Sequence, residues 1–211
     1  MTIPKPLCLV INGPSAVGKS TLTAKIQDRA EIPLLRFGLD ELFRMIPDHW
    51  GGGLPGARHS DLGFQYEDVE GPEGQRRIRV GRDGIQMLVA MNAAVEAMLQ
   101  VGQGIIVDGQ AFEPDINRDL EARLQTLERQ GLATVAIAEL KVDDPELEDR
   151  HSRHEHPVRL SLFHNSQPPQ SENPDVVIDT SGLDAEQVAD RLWDWLVPLY
   201  PAVQSGHGAI R

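Results

Sequence analysis

The clearest chemistry in this sequence lies in a short glycine-containing run near its amino end. The run GPSAVGKST matches the pattern GxxxxGK[ST]. In this pattern the glycines let the backbone wrap a phosphate, the lysine adds a positive charge beside the β and γ phosphates, and the next hydroxyl is a ligand for Mg²⁺. The pattern therefore predicts a binding site for the phosphates of ATP, here called the phosphate loop, made of Gly13, Pro14, Ser15, Ala16, Val17, Gly18, Lys19, Ser20 and Thr21.

The segments on either side of the phosphate loop favour this interpretation. Residues 6–11, PLCLVI, form a continuous apolar run, which is typical of a strand buried on both faces. Residues 19–29 are good helix formers, with Leu22 and Ile26 four positions apart. The loop is then expected at the positive end of a helix dipole, where anions bind. The alternative is an ordinary glycine-rich turn with Lys19 on the surface.

An aspartate at the end of a predicted strand is the second candidate for phosphate chemistry. Residues 104–107 are strand-like, and Asp108 follows them directly. The carboxyl ends of parallel strands meet at one edge of a sheet, so Asp108 is expected beside the phosphate loop. There it would hold Mg²⁺ together with Ser20. The alternative is that Asp108 only begins a turn with Gly109.

A second aspartate is the candidate general base. Residues 34–39 form another apolar stretch, and Asp40 closes it, so Asp40 is expected to emerge at the same sheet edge. A carboxylate there could accept the proton of an acceptor hydroxyl as that hydroxyl attacks the γ phosphate. The alternative is that Asp40 caps the short helix predicted for residues 41–46. Position alone supports both interpretations equally.

A polar helix predicted from residue 144 to about residue 154 carries two arginines three positions apart. Arg150 and Arg153 share one helix face, where they could close over the transferred phosphoryl group or simply be solvated. Four histidines occur in or near this segment: His151, His154, His156 and His164. Because the segment is polar and lacks cysteine, solvated or substrate-facing histidines are favoured over a metal site.

The order of elements predicts an α/β protein. Apolar strand-like runs alternate with amphipathic helices, which is the arrangement of βαβ units in a parallel sheet. We expect an open parallel sheet with helices on both faces and a glycine-rich insertion over residues 48–82. Residues 1–200 then form one domain, and residues 201–211 a flexible tail. The insertion is either a substrate lid or a linker.

Composition limits the classes of partner. The 211 residues carry 32 acidic and 20 basic side chains, a net charge of −12, so a nucleic-acid partner is not expected. The only cysteine, Cys8, excludes an internal disulfide, and no apolar run is long enough to span a membrane. A cytoplasmic location and a hydroxylated small-molecule substrate follow as expectations, and a homo-oligomer is left open.

The phosphate loop, the segment RFGLDEL and the segment GIIVDG together resemble the chloramphenicol phosphotransferase family of P-loop kinases. In that family a short FGxD segment carries the catalytic aspartate, so the resemblance implies that Asp40 takes the proton from the acceptor hydroxyl. It also implies a P-loop kinase-like fold with a helical lid over about residues 144–165, in which Arg150 and Arg153 lie over the triphosphate. Residues 48–82 and the segment HSRHEHPVRL depart from the family pattern.

These observations lead to one preferred function and several alternatives. The preferred function is an ATP- and Mg²⁺-dependent kinase that phosphorylates a hydroxyl of an antibiotic-like small molecule. The catalytic candidates are Asp40, Lys19, Arg150 and Arg153, and the candidate metal ligands are Ser20 and Asp108. The alternatives are a kinase of a metabolite or sugar nucleotide and a non-catalytic ATP-binding switch module, whereas the net charge disfavours a polynucleotide kinase.

Overall fold

The computed structural model describes residues 4–51, 57–69, 75–153 and 160–205. Its centre is a five-stranded parallel sheet, which confirms the predicted fold class. In chain order these strands are β1 (Leu7–Asn12), β2 (Leu34–Arg36), β5 (Gly104–Asp108), β6 (Thr134–Lys141) and β7 (Val176–Asp179). Their spatial order is β2-β5-β1-β6-β7, with β1 in the middle. Two further strands, β3 (Phe64–Asp68) and β4 (Arg76–Val80), form a separate antiparallel hairpin.

Helices connect the strands of the parallel sheet. The long helices are α1 (Lys19–Arg29), α3 (Arg82–Gln100), α4 (Pro114–Arg129), α5 (Asp144–Arg153) and α7 (Ala185–Leu199). The shorter ones are α2 (Leu39–Met45), a 3₁₀ turn at Asp48–Trp50, α6 (Ser161–Asn165) and α8 (Ala202–Ser205). A capping box begins α7: the Asp184 carboxylate accepts hydrogen bonds from the backbone N–H groups of Glu186 and Gln187, and the Asp184 N–H donates to the Gln187 side chain.

The core lies on both faces of the sheet, as expected for helices on both sides. Alternate residues of β1 point to opposite faces. Leu9 packs in a cluster with Ile26 of α1 and Leu192 of α7, whereas Val10 packs with Val95 of α3 and Leu124 of α4. This two-sided burial explains why β1 is an uninterrupted apolar run rather than an alternating one.

The structure differs from the sequence-based predictions at the end of β2 and at the start of the C-terminal tail. Strand β2 ends at Arg36 rather than continuing to Leu39, and Asp40 lies in the first turn of α2 instead of at a strand end. The tail is folded at its start, since α8 buries Val203 completely and the carbonyl oxygen of Val203 accepts a hydrogen bond from the N–H of Glu31. Apolar contacts therefore hold residues that composition assigns to a frayed end.

The insertion after α2 has more structure than its glycines suggest. The described residues of this segment include the 3₁₀ turn and the β3–β4 hairpin, with Phe64 buried against the edge of the Phe43 ring at a centroid distance of 5.0 Å. The aromatic residues of the insertion thus attach it to α2. Within the described ranges, no helix is long and apolar enough to cross a membrane.

Candidate active site

The phosphate loop lies between the end of β1 and the start of α1, as its sequence pattern requires. Gly13 and Gly18 have positive φ angles of 138° and 105°, and a Cβ on Gly13 would lie 2.7 Å from the carbonyl oxygen of Leu140. Only glycine meets both demands at position 13. The Nζ atom of Lys19 lies across the loop and donates to the carbonyl oxygens of Gly13 at 2.9 Å and Pro14 at 2.8 Å.

Three carboxylates surround the amino group of Lys19. Burial lowers the pKa of Lys19, and the negative charges of Asp108, Asp40 and Glu139 oppose that shift. From the sequence, Lys19, Asp40 and Asp108 could be placed near one another only because predicted strands end next to them. The structure places these three in one electrostatic neighbourhood, and all three line the same cleft.

Asp108 ends β5 beside an arginine that sequence reasoning missed. The Asp108 carboxylate lies 2.8 Å from an Nη atom of Arg36, which ends the neighbouring strand β2. The same nitrogen lies 3.2 Å from the hydroxyl oxygen of Ser20. Burial raises the pKa of Asp108, and the charges of Arg36 and Lys19 reduce that increase. Arg36 was detectable in principle as the residue just before the FGLD segment.

The predicted metal ligands fit a hard divalent cation. The Ser20 hydroxyl and the Asp108 carboxylate are oxygen donors of the kind Mg²⁺ prefers, and both contact one nitrogen of a single cationic group, the Arg36 guanidinium. A position that holds an arginine cation between two oxygen ligands has the charge and the donor set for Mg²⁺. Ser20 and Asp108 are therefore the residues that would hold it.

The FGLD segment carries Asp40 into the cleft without using it as a cap. The N-cap of α2 is Gly38, whose N–H donates to the carboxylate of Glu41 at 3.0 Å. The side chain of Glu41 therefore caps the start of α2, and Asp40 does not. Asp40 is exposed on the cleft wall, and its charge acts on Lys19 and on Tyr66 of β3.

One cleft of about 980 Å³ joins the phosphate loop to the hairpin. Its walls include Lys19 and Ser20 on one side, Asp40 and Phe43 of α2, and side chains of β3 and β4. Sequence analysis missed the hairpin contribution because its residues follow no phosphate-binding pattern. These additional lining residues are Phe64, Tyr66, Arg76, Arg77, Ile78, Arg79 and Val80.

A stacked aromatic pair forms another part of the cleft. The rings of Phe112 and His164 lie 3.9 Å apart at an angle of 17°. Burial lowers the pKa of His164 to about 3, and the charge of Lys19 adds to that effect, so the ring is neutral at pH 7. His164 therefore faces the cleft as a neutral ring. His154 and His156 lie outside the described residues, as does the side chain of His151. Among the described residues, no three or more His, Cys, Asp or Glu side chains form a group that could hold a metal ion.

Arg150 lies behind the phosphate loop. Its guanidinium donates to the carbonyl oxygens of Val17 and Thr180, both at 2.9 Å, and pairs with Glu146. In this arrangement Arg150 connects the loop to the residue after β7. The predicted role of Arg150 on the transferred charge stays a prediction, and the side chain of Arg153 lies outside the described residues.

Buried polar side chains form hydrogen bonds with Asn12 and Gly13, at the start of the phosphate loop. The N–H of Gly13 donates to the side-chain oxygen of Gln170 at 2.9 Å, and Asn12 donates to Gln110 at 2.6 Å. The side chain of Gln170 also donates to the backbone oxygen of Gln110. The backbone oxygen of Gln170 accepts a hydrogen bond from the side chain of Asn117 at 3.1 Å. The segment SQPPQSENP, a loop by composition, thus positions Gly13. Sequence reasoning missed this because the contact joins residues 157 positions apart.

Glu139 next to this network makes stability depend on pH. Burial raises the pKa of Glu139 from 4.5 to about 7. Between these values the folded protein binds more protons than the unfolded chain, so the free energy of unfolding falls as pH rises. Relative to Glu139→Gln, wild type is expected to lose about 3 kcal/mol between pH 4.5 and pH 8. Urea titrations of both proteins across this range measure the difference, and parallel curves would contradict it.

Comparison with solved structures agrees with the fold described above. A sugar kinase from Janibacter sp. HTCC2649 has 17% identity and a TM-score of 0.57, covering 95% of this chain and 98% of that one. The tunicamycin resistance protein of Deinococcus radiodurans has 18% identity and a TM-score of 0.54, covering 90% and 95%. The APS kinase CysC of Mycobacterium tuberculosis, solved with AMPPNP and APS, has 14% identity and a TM-score of 0.53, covering 92% and 98%. At these identities the likeness shows the shared fold.

None of the curated proteins compared with this chain matches it. The family model of chloramphenicol phosphotransferase-like proteins matches residues 7–197, which include the phosphate loop, Asp40 and Asp108. On this match over most of its length, the chain belongs to the chloramphenicol phosphotransferase-like family of P-loop kinases.

Proposed function

We propose that this protein is an ATP- and Mg²⁺-dependent kinase that transfers the γ-phosphoryl group to a hydroxyl of a small, antibiotic-like molecule. The observation that carries the proposal is the position of Asp40, on the wall of the same cleft as Lys19 and Ser20. A nucleotide on the phosphate loop would present its terminal phosphate to a space that also admits an acceptor. Family membership supports phosphoryl transfer as the reaction class.

Each group has one role in the proposed mechanism. The backbone N–H groups of the phosphate loop and Lys19 hold the triphosphate, and Lys19 leaves its present carbonyl partners to do so. Asp40 accepts the hydroxyl proton while the acceptor oxygen bonds to the γ phosphorus and the bond to the bridging oxygen of ADP breaks. Mg²⁺, held by Ser20 and Asp108, would neutralise charge on the β and γ oxygens. Arg150 and Arg153 are proposed to stabilise the transferred charge.

Arg36 is expected to compete with the metal for its ligands. Because its guanidinium contacts both Ser20 and Asp108, Arg36→Met should remove a cation from the metal position. We expect at least about threefold tighter binding of Mn²⁺ to the AMPPNP complex, since one charge-assisted contact no longer has to break. Electron paramagnetic resonance of Mn²⁺ measures this without turnover. Arg44→Met, in the exposed last turn of α2, is the control, and weaker Mn²⁺ binding to Arg36→Met would contradict the expectation.

The function itself is tested with a panel of hydroxylated acceptors, among them chloramphenicol, other antibiotics, sugars and sugar nucleotides. With ATP and Mg²⁺, mass spectrometry should show one acceptor that gains a phosphoryl group. Lys19→Met should abolish transfer, whereas Lys25→Met, on the same helix and paired with Glu186, should not. Tight ATP binding with no acceptor phosphorylated, together with a co-purifying protein partner, would favour a switch module instead.

A further inference from the structure

Three arginines of the hairpin line the cleft that holds the proposed acceptor space. Arg76, Arg77 and Arg79 of β4 all line the cleft and are here called the arginine row. They occupy three of four consecutive positions in a chain with 20 basic residues and a net charge of −12. Guanidinium groups gathered on the wall of one cleft attract a negatively charged partner.

Among the described residues of the hairpin strands, two carboxylates pair with the three guanidinium groups of the arginine row. Glu67 lies opposite Arg77 in the strand register and pairs with it at 3.0 Å, but the same carboxylate also pairs with Arg79 at 2.5 Å. Arg76 pairs with Asp68 at 2.8 Å. One carboxylate is thus shared by two guanidinium groups, and the described hairpin strands have one positive charge in excess.

The arginine row also remains open to a ligand. The side chains of Arg76, Arg77 and Arg79 are 37%, 53% and 40% exposed. Glu113, at the N-cap position of α4, lines the same cleft; burial raises the pKa of Glu113, and the charge of Arg77 opposes that increase.

The arginine row is not needed to bind the triphosphate. The loop amides and Lys19 already provide the groups that a triphosphate requires. Tyr66, on the strand paired with the row, lines the same cleft as Asp40. An acceptor with its hydroxyl at Asp40 would extend along Tyr66 towards the row.

We propose that the acceptor of this kinase carries an anionic group, a carboxylate, sulfate or phosphate, which the arginine row binds. This inference rests on the proposed kinase function and specifies its substrate class. Guanidinium groups bind such oxyanions through paired, charge-assisted hydrogen bonds. A guanidinium group that shares its carboxylate partner with another still has N–H donors with which to bind an oxyanion. The Tyr66 ring, on the strand paired with the row, would contact the apolar body of the acceptor.

The experiment uses sulfate as the probe and AMPPNP to fill the phosphate loop. The protein saturated with AMPPNP and Mg²⁺ is titrated with sodium sulfate at constant ionic strength, and with dimethyl sulfone as a neutral molecule of similar shape. Calorimetry should detect sulfate and not the sulfone. The double variant Arg77→Gln/Arg79→Gln should weaken sulfate binding about tenfold or more, while Arg82→Gln, an exposed neighbour paired with Asp83, should not.

A variant with the opposite expected effect excludes misfolding as the explanation. Glu67→Gln removes the shared carboxylate, so sulfate binding should become tighter by about threefold or more. Sulfate binding that is absent from the wild type, or unchanged in both hairpin variants, would overturn this inference while AMPPNP binding leaves the proposed function standing. If the double variant instead loses AMPPNP affinity, the row binds the nucleotide and the inference is overturned. A wild-type protein that binds no AMPPNP overturns both proposals.

Discussion

Asp40→Asn is expected to lower kcat by about 10²- to 10⁴-fold while the affinity for ATP changes little. The amide keeps the size of the side chain but cannot accept the hydroxyl proton. ATP affinity should persist because the phosphate loop, rather than Asp40, provides the phosphate contacts. Removal of a negative charge near Lys19 should, if anything, slightly strengthen nucleotide binding.

Steady-state kinetics with the acceptor found in the panel, and calorimetry with AMPPNP, measure the two quantities separately. Asp48→Asn is the matched control, since it makes the same chemical change at an exposed residue of the 3₁₀ turn. An unchanged kcat would remove Asp40 as the base. Equal losses of kcat and AMPPNP affinity would indicate that Asp40 holds the site together instead.

Gly38→Ala is expected to disrupt the site from a position that contacts no ligand. A Cβ on Gly38 would lie 2.1 Å from the carbonyl oxygen of Asp108, far inside van der Waals contact. The backbone of Gly38 is extended, so the obstacle is this close approach and not the φ angle. Relief requires the FGLD segment to move away from β5, which displaces Asp40 and Arg36 together. We expect a loss of about 3 kcal/mol in the free energy of unfolding, together with a large loss of kcat.

Denaturant titrations and kinetics of the same preparation test this prediction. Gly102→Ala is the control, because nothing lies within 4 Å of the added Cβ and its cost comes only from a φ of 88°. It should lose about 1 kcal/mol and keep its kcat. A Gly38→Ala protein with wild-type stability and turnover would show that the segment does not depend on its contact with Asp108.

The part of the site that could be predicted from sequence is the part carried by local patterns. The phosphate loop depends on glycines, a lysine and a hydroxyl within nine positions, between a strand and a helix. Asp108 could be placed because an apolar strand ends there. The confirmed fold class follows from the same alternation of strands and helices, which buries apolar residues on both faces of β1.

What could not be predicted depends on pairing between distant segments. Arg36 acquires its contact with Asp108 only because β2 lies next to β5, an order that local sequence does not encode. The arginine row faces the cleft only because the hairpin folds back onto α2 through Phe64 and Phe43. The contact of Gln170 with Gly13 likewise depends on the packing of a loop that composition describes only as polar.

The most direct test of the central claim is a crystal structure of the protein with AMPPNP and Mg²⁺. The triphosphate is expected to follow residues 13–21. The carboxylate of Asp40 is expected to face the γ phosphate across a gap of about one hydroxyl group, with reacting atoms about 3–3.5 Å apart once an acceptor is bound. A triphosphate bound elsewhere, or an Asp40 carboxylate turned out of the cleft with α2 in place, would contradict the central claim.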